Sequence, residues 1–82
     1  MKIRKAKEIV VNYHNQRANS SDVIIDKNDV FVVWFCKTLQ NWKALLSTNL
    51  PGEPYYEVTY NGDKKEAYLD VYQKCENVVV KD

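Results

Sequence analysis

The stretch Val30–Thr38, VFVVWFCKT, constrains this chain more than any other. Its first seven residues carry no charge, and six of those seven are β-branched or aromatic, a composition suited to a strand. Alternation puts Val30, Val32, Trp34 and Cys36 on one face and Phe31, Val33 and Phe35 on the other. Both sets are apolar, so the pattern predicts a central strand covered on both sides. Gln40-Asn41 supplies a turn, and residues 42–48 read as a second strand with Trp42, Ala44 and Leu46 facing one way. After an Asn49–Pro54 loop marked by Pro51, Gly52 and Pro54, residues 55–60 form a third, with Tyr56, Val58 and Tyr60 on one face.

The segments flanking this meander read differently. Over residues 2–18, Ile3, Ala6, Val10 and Tyr13 recur at three- and four-residue steps, which predicts an amphipathic helix ending in Asn19-Ser20-Ser21. Val23–Ile25 reads as a short extended piece and Asp26–Asp29 as a turn. At Asn61-Gly62 a two-residue hairpin would set Glu57 opposite Glu66, an unfavourable like-charge pair. A helix over 64–75 avoids this. Asp63 caps it, Glu66 stands three residues on, and Ala67, Tyr68, Val71, Tyr72 and Cys75 form its apolar stripe. Val78–Val80 is then a short last strand. The expected fold is one α+β domain over residues 1–82: helix, three-stranded antiparallel meander, helix, short C-terminal strand (α-β-β-β-α-β). Helices on one face leave the other face of the sheet to an oligomer interface or a partner.

Little in the chain points to catalysis. His14 is the only histidine, and Cys36 and Cys75 stand apart from it and from each other. No CxxC or HxxxH spacing offers a metal site, and the two glycines, Gly52 and Gly62, form no phosphate loop. The expectation is therefore a protein that is not an enzyme and carries no cofactor and no metal. No run approaches the ~20 apolar residues of a membrane span. Ile9-Val10-Val11 is far shorter than the apolar core of an export signal, which predicts a cytoplasmic location and reduced thiols, with Cys36 shielded in its apolar strand.

Two kinds of residue remain for binding. Trp34, Trp42 and Tyr55 are the best candidates for partner-binding anchors, since tryptophan and tyrosine dominate interface energetics. Lys2, Arg4, Lys5, Lys7, Lys64 and Lys65 are the candidates for nucleic-acid contact, although a net charge of +1 gives little long-range attraction. The early positive charges oppose the helix macrodipole, which favours a functional reading of that basic end.

The segments VFVVWFCKTLQNWKALLST and YYEVTYNGDKKEAYLDVY resemble a family of small uncharacterised proteins encoded by phages and prophages of Gram-positive bacteria. The resemblance runs from the first helix to Val80. It implies an accessory protein in the cytoplasm of a bacterial host cell, binding a host or phage macromolecule. The expected order helix–three strands–helix is also similar to that of double-stranded-RNA-binding domains. Lys64-Lys65-Glu66-Ala67 resembles the start of their KKxAK motif, whose lysines would meet phosphates. The chain departs from that family at Tyr68, where the next lysine should stand, and lacks its Gly-rich run. The expected function is non-enzymatic protein–protein contact by a homo-oligomer, with nucleic-acid binding as the alternative.

Overall fold

The computed structural model describes residues 2–18, 23–50, 54–73 and 75–81. Helix α1 (Lys2–Arg17) leads and a 3₁₀ turn at Lys27–Asp29 follows. Four strands follow among the described residues: β1 (Val30–Thr38), β2 (Asn41–Thr48), β3 (Tyr55–Asn61) and β4 (Glu66–Tyr72). They form one antiparallel meander in the order β1-β2-β3-β4. This α-β-β-β-β arrangement corrects the expected α-β-β-β-α-β fold in two places. Residues expected as a second helix supply β4, and Val78-Val79-Val80 is irregular and exposed. The expected helix stop at Asn19–Ser21 and the Pro51-Gly52 pair lie outside the described residues.

The correction at β4 has a physical cause. Ala67, Leu69 and Val71 recur at every second position and face Tyr60, Val58 and Tyr56 across the ladder. A period of two therefore fits this segment as well as a helical period does. The connection is not a two-residue turn but the four residues Gly62–Lys65. The Asn61 side-chain oxygen accepts from the backbone N–H groups of Asp63 (3.0 Å) and Lys64 (3.2 Å), which fixes the chain reversal. Lys65 then closes it with φ 55°. This longer turn sets Glu57 opposite Asp70, so a like-charge pair occurs after all. It is tolerated because Lys43 Nζ lies 3.8 Å from Glu57 and the Tyr72 hydroxyl donates to Glu57 at 3.2 Å.

The β1–β2 turn interlocks with the β3–β4 turn. A Cβ at position 62 would collide with the Gln40 carbonyl, so only glycine fits. The Asn41 side chain accepts from Gly62 N–H at 2.8 Å, and Gln40 donates to the Asp63 carboxylate. Leu39, the first residue of the two-residue connection between Thr38 and Asn41, also has φ 55°. A right-twisted hairpin wants positive φ there, and glycine normally supplies it.

Helix α1 lies on one face of the sheet. Ala6 and Val10 are fully buried against a core that includes Leu46, Tyr56 and Val58. Tyr13 meets Tyr56 edge-on at 5.9 Å, and the Arg17 guanidinium stacks 3.9 Å above the Tyr13 ring. The 23–26 segment returns beside the helix without joining the sheet. The Asn15 carboxamide donates to Ile25 O at 2.9 Å and accepts from Ile25 N–H at 3.0 Å, as a neighbouring strand would. This holds Ile25 in the core. His14 Nε2 donates to Val23 O at 2.9 Å. Asp26 and Asp29 cap the 3₁₀ turn reciprocally, each carboxylate accepting a backbone N–H near the other (2.8 and 3.0 Å).

Strand β1 spans the expected residues but stands at the edge of the sheet, not its centre. Its register shifts between Val32 and Trp34, where Val33 is the extra residue of a β-bulge. Before the bulge Val32 pairs with Leu46, and after it Trp34 pairs with Leu45. The bulge therefore reverses the alternation that the sequence predicts. Val30, Val32 and Phe35 belong with the core, while Phe31, Trp34 and Cys36 face away from the helix.

Candidate functional site

The face of the sheet opposite α1 has no cover among the described residues. Reading across the ladders, one row is Trp34, Leu45, Glu57 and Asp70, and the next is Cys36, Lys43, Thr59 and Tyr68. Phe31 and the pair Tyr55–Tyr72 lie beyond the first row. Five large aromatic side chains on this face stay substantially exposed: Phe31 48%, Trp34 42%, Tyr55 47%, Tyr68 45% and Tyr72 50%. Trp34 and Tyr68 border a hollow of about 390 Å³ whose lining includes Cys36, Lys43 and Thr59. That is room for one large side chain of a partner.

Charge is arranged unevenly over the same face. Lys43 is opposed by three carboxylates, Glu57, Glu66 and Asp70, all toward the β3–β4 side. The β1 side is apolar. Glu57 is the centre of the polar network, held by Lys43 and Tyr72. Tyr68 donates to Glu66 on its own strand. That hydrogen bond, with some burial and the Glu66 charge, raises the Tyr68 phenol above the usual tyrosine value. The hydrogen bond to Glu57, then its charge, some burial and Asp70, raise Tyr72 in the same way. Both hydroxyls are thus donors at neutral pH, pinned to carboxylates.

The structure separates the three expected anchors. Trp34 and Tyr55 share the open face. Trp42 is 5% exposed on the helix side, between Phe35 (5.8 Å) and Tyr60 (5.5 Å, stacked). Phe31, Tyr68 and Tyr72 are site residues that the sequence pattern alone does not single out. Reading 66–72 as a strand finds Tyr68 and Tyr72, which alternate with Ala67, Leu69 and Val71 on the helix side. Cys36, expected to be shielded, is exposed, as is Cys75.

The basic residues also divide. Lys2 and Lys5 approach Trp42 and Tyr60, and Lys2 shares a second hollow with Lys37 and Lys65. Arg4, Lys7 and Lys64 line neither hollow. Among the described residues, no group of three or more His, Cys, Asp or Glu side chains is placed to hold a metal ion. Among them, no helix is long and apolar enough to cross a membrane.

One family model, described as a family of unknown function (DUF6275), matches residues 3–82. The chain belongs to that family. The match takes in α1 and all four strands, so the family's shared unit is the whole helix-and-sheet body. No curated protein and no solved structure matches the chain.

Proposed function

We propose that this chain is a non-enzymatic accessory protein that works by protein–protein contact through the open face of its sheet. The observation that carries the reading is the set of exposed aromatic side chains on a face that the single helix leaves bare. Its layout describes the partner. An aromatic or branched aliphatic side chain enters the hollow between Trp34 and Tyr68, and basic groups lie toward Glu57, Glu66 and Asp70. The setting, the cytoplasm of a bacterial host, rests on the resemblance of Val30–Thr48 and Tyr55–Tyr72 to small phage and prophage proteins.

The working unit is a homodimer, formed along the free edge of β1 so that the open face stays available. Edge strands are normally guarded by charge. Strand β4 carries Glu66 and Asp70, whereas β1 has one charged residue, Lys37, in nine. Sedimentation equilibrium at micromolar protein should give twice the chain mass. For the face itself, Trp34→Ala and Tyr55→Ala should each weaken capture of a host or phage protein by about fivefold or more, with circular dichroism unchanged. Undiminished capture by both folded variants defeats the reading.

A further inference from the structure

We propose a second binding site, for single-stranded nucleic acid held by its phosphates, where the start of α1 meets the two interlocked hairpin turns. The site does not rest on the open face. Four lysines from three separate elements converge there: Lys2 and Lys5 of α1, Lys37 of β1, and Lys65 of the β3–β4 turn. They border two hollows of about 470 and 400 Å³ that share Lys2 and Tyr60. No carboxylate is among the described residues that line either one. One carboxylate, Asp63, lies nearby and accepts from the Gln40 amide.

Among the described residues none of the four lysines is paired with a carboxylate, and Lys37 Nζ donates to the Leu39 carbonyl. The ion pairs among the described residues, Lys27–Glu8 and Lys43–Glu57, lie elsewhere. The first turn of α1 holds no acidic residue, so Lys2 and Lys5 sit against the positive end of the helix macrodipole. A fold gains nothing from that arrangement, whereas an incoming phosphate meets both the ammonium groups and the dipole.

The two hairpin turns also fix where Leu39 and Lys65 stand. Among the described residues, Leu39 and Lys65 are the non-glycine positions with positive φ, each at 55°, and both line the larger hollow. Such conformations are usual in tight hairpin turns, and the surroundings enforce these two. Here the enforcement is the Gly62–Gln40 contact and the Asn41–Gly62 hydrogen bond. A glycine at position 65 would be the relaxed choice, and it would lack the ammonium group.

The ligand class follows from shape. A shallow track of two joined hollows suits a flexible single strand, whose phosphates follow the lysines. The ring of Tyr60 and the exposed Leu39 side chain offer its bases an apolar surface.

The test is fluorescence anisotropy with a labelled oligo-deoxythymidine of about 15 nucleotides, a length chosen to exceed most single-strand site sizes. The wild-type chain should bind saturably at low salt and weaken steeply as salt rises. Lys37→Gln combined with Lys65→Gly should lower affinity about tenfold or more and flatten the salt slope by roughly 0.7 for each phosphate no longer neutralised. Lys65→Gly alone should raise the unfolding midpoint and still weaken binding, a combination that a merely structural lysine would not give. Trp34→Ala should leave binding unchanged. Absence of saturable binding at low salt overturns the proposal. So does equal affinity for a duplex of the same length, full binding by the double lysine variant, or abolished binding on Trp34→Ala.

Discussion

The two faces of this sheet use the same strands and the same classes of residue, yet one is sealed and the other bare. Under α1, Trp42, Leu46, Tyr56 and Val58 are all buried, the last three to 2% exposure or less. On the far side Trp34, Tyr55, Tyr68 and Tyr72 keep more than two-fifths of their surface in water. Residue type does not separate the sets, since each contains tryptophan and tyrosine. What separates them is which side of the pleat each occupies, and in β1 that is decided by one bulged residue. An aromatic under the helix stabilises the fold, while one on the open face is available for contact.

The largest test of this contrast is truncation on each side. Tyr56→Ala or Leu46→Ala removes a side chain from the sealed core and should cost about 3–5 kcal/mol. Domains of this kind have only roughly 5–15 kcal/mol in total. Tyr55→Ala, one residue along the same strand but on the open face, should cost under about 1 kcal/mol. Urea unfolding of the three variants gives the comparison directly. Similar destabilisation at positions 55 and 56 would mean that the open face is covered in solution.

Deleting Val33 sharpens the contrast within a single strand. Removal of the extra residue lets Val32 and Trp34 pair with Leu46 and Leu45 without a gap, so every later side chain keeps its face. Stability should fall by no more than about 2 kcal/mol. Trp34 should stay open to acrylamide quenching, and Cys36 should still react with a thiol reagent in the native state. The straightened edge should also pair better with a second copy, raising the dimer fraction in sedimentation. An unreactive Cys36 would show that the strand had flipped instead.

The bulge also explains what the sequence could and could not reveal. The bounds of β1 are legible because β-branched and aromatic residues run unbroken from Val30 to Phe35. Its register is not, because both alternating sets are apolar and an inserted residue leaves no mark in such a run. Trp34 and Trp42 therefore look equivalent until the ladder is seen. In the 66–72 segment the apolar positions satisfy periods of both two and 3.6, and the opposition of Glu57 and Glu66 together with the Asp63 cap favours a helix. That opposition belongs to a two-residue hairpin, and the four-residue turn that the chain adopts replaces it with Glu57 opposite Asp70. Glu57 is moreover no isolated charge, since Lys43 and Tyr72 compensate it from neighbouring strands. The convergence of Lys37 with Lys2 and Lys65 could not be foreseen either, because it depends on both hairpins turning at the same end of the sheet.

The smallest effect concerns the open-face phenols, whose protons report whether their carboxylates are in place. Tyr68 and Tyr72 are raised above the unfolded value of 10.0 by Glu66 and Glu57. The protonated phenol is the form the fold favours. Its contribution to stability is therefore present below pH 10 and lost as pH rises through the higher folded value. Both groups lie in solvent, so the effect on unfolding is slight and the titration itself is the better measurement. Ultraviolet absorbance of the native protein should show a late phenolate fraction that disappears in denaturant. Glu66→Gln should move the Tyr68 share earlier, and Glu57→Gln the Tyr72 share, without disturbing the core around Trp42. If partner binding engages the carboxylates through basic groups, as proposed, Tyr68 and Tyr72 lose the negative neighbours that hold their protons. Their titration should then shift downward in the complex. An upward shift would mean that burial of the two phenols in the interface, which raises them, outweighs the neutralisation of Glu57 and Glu66.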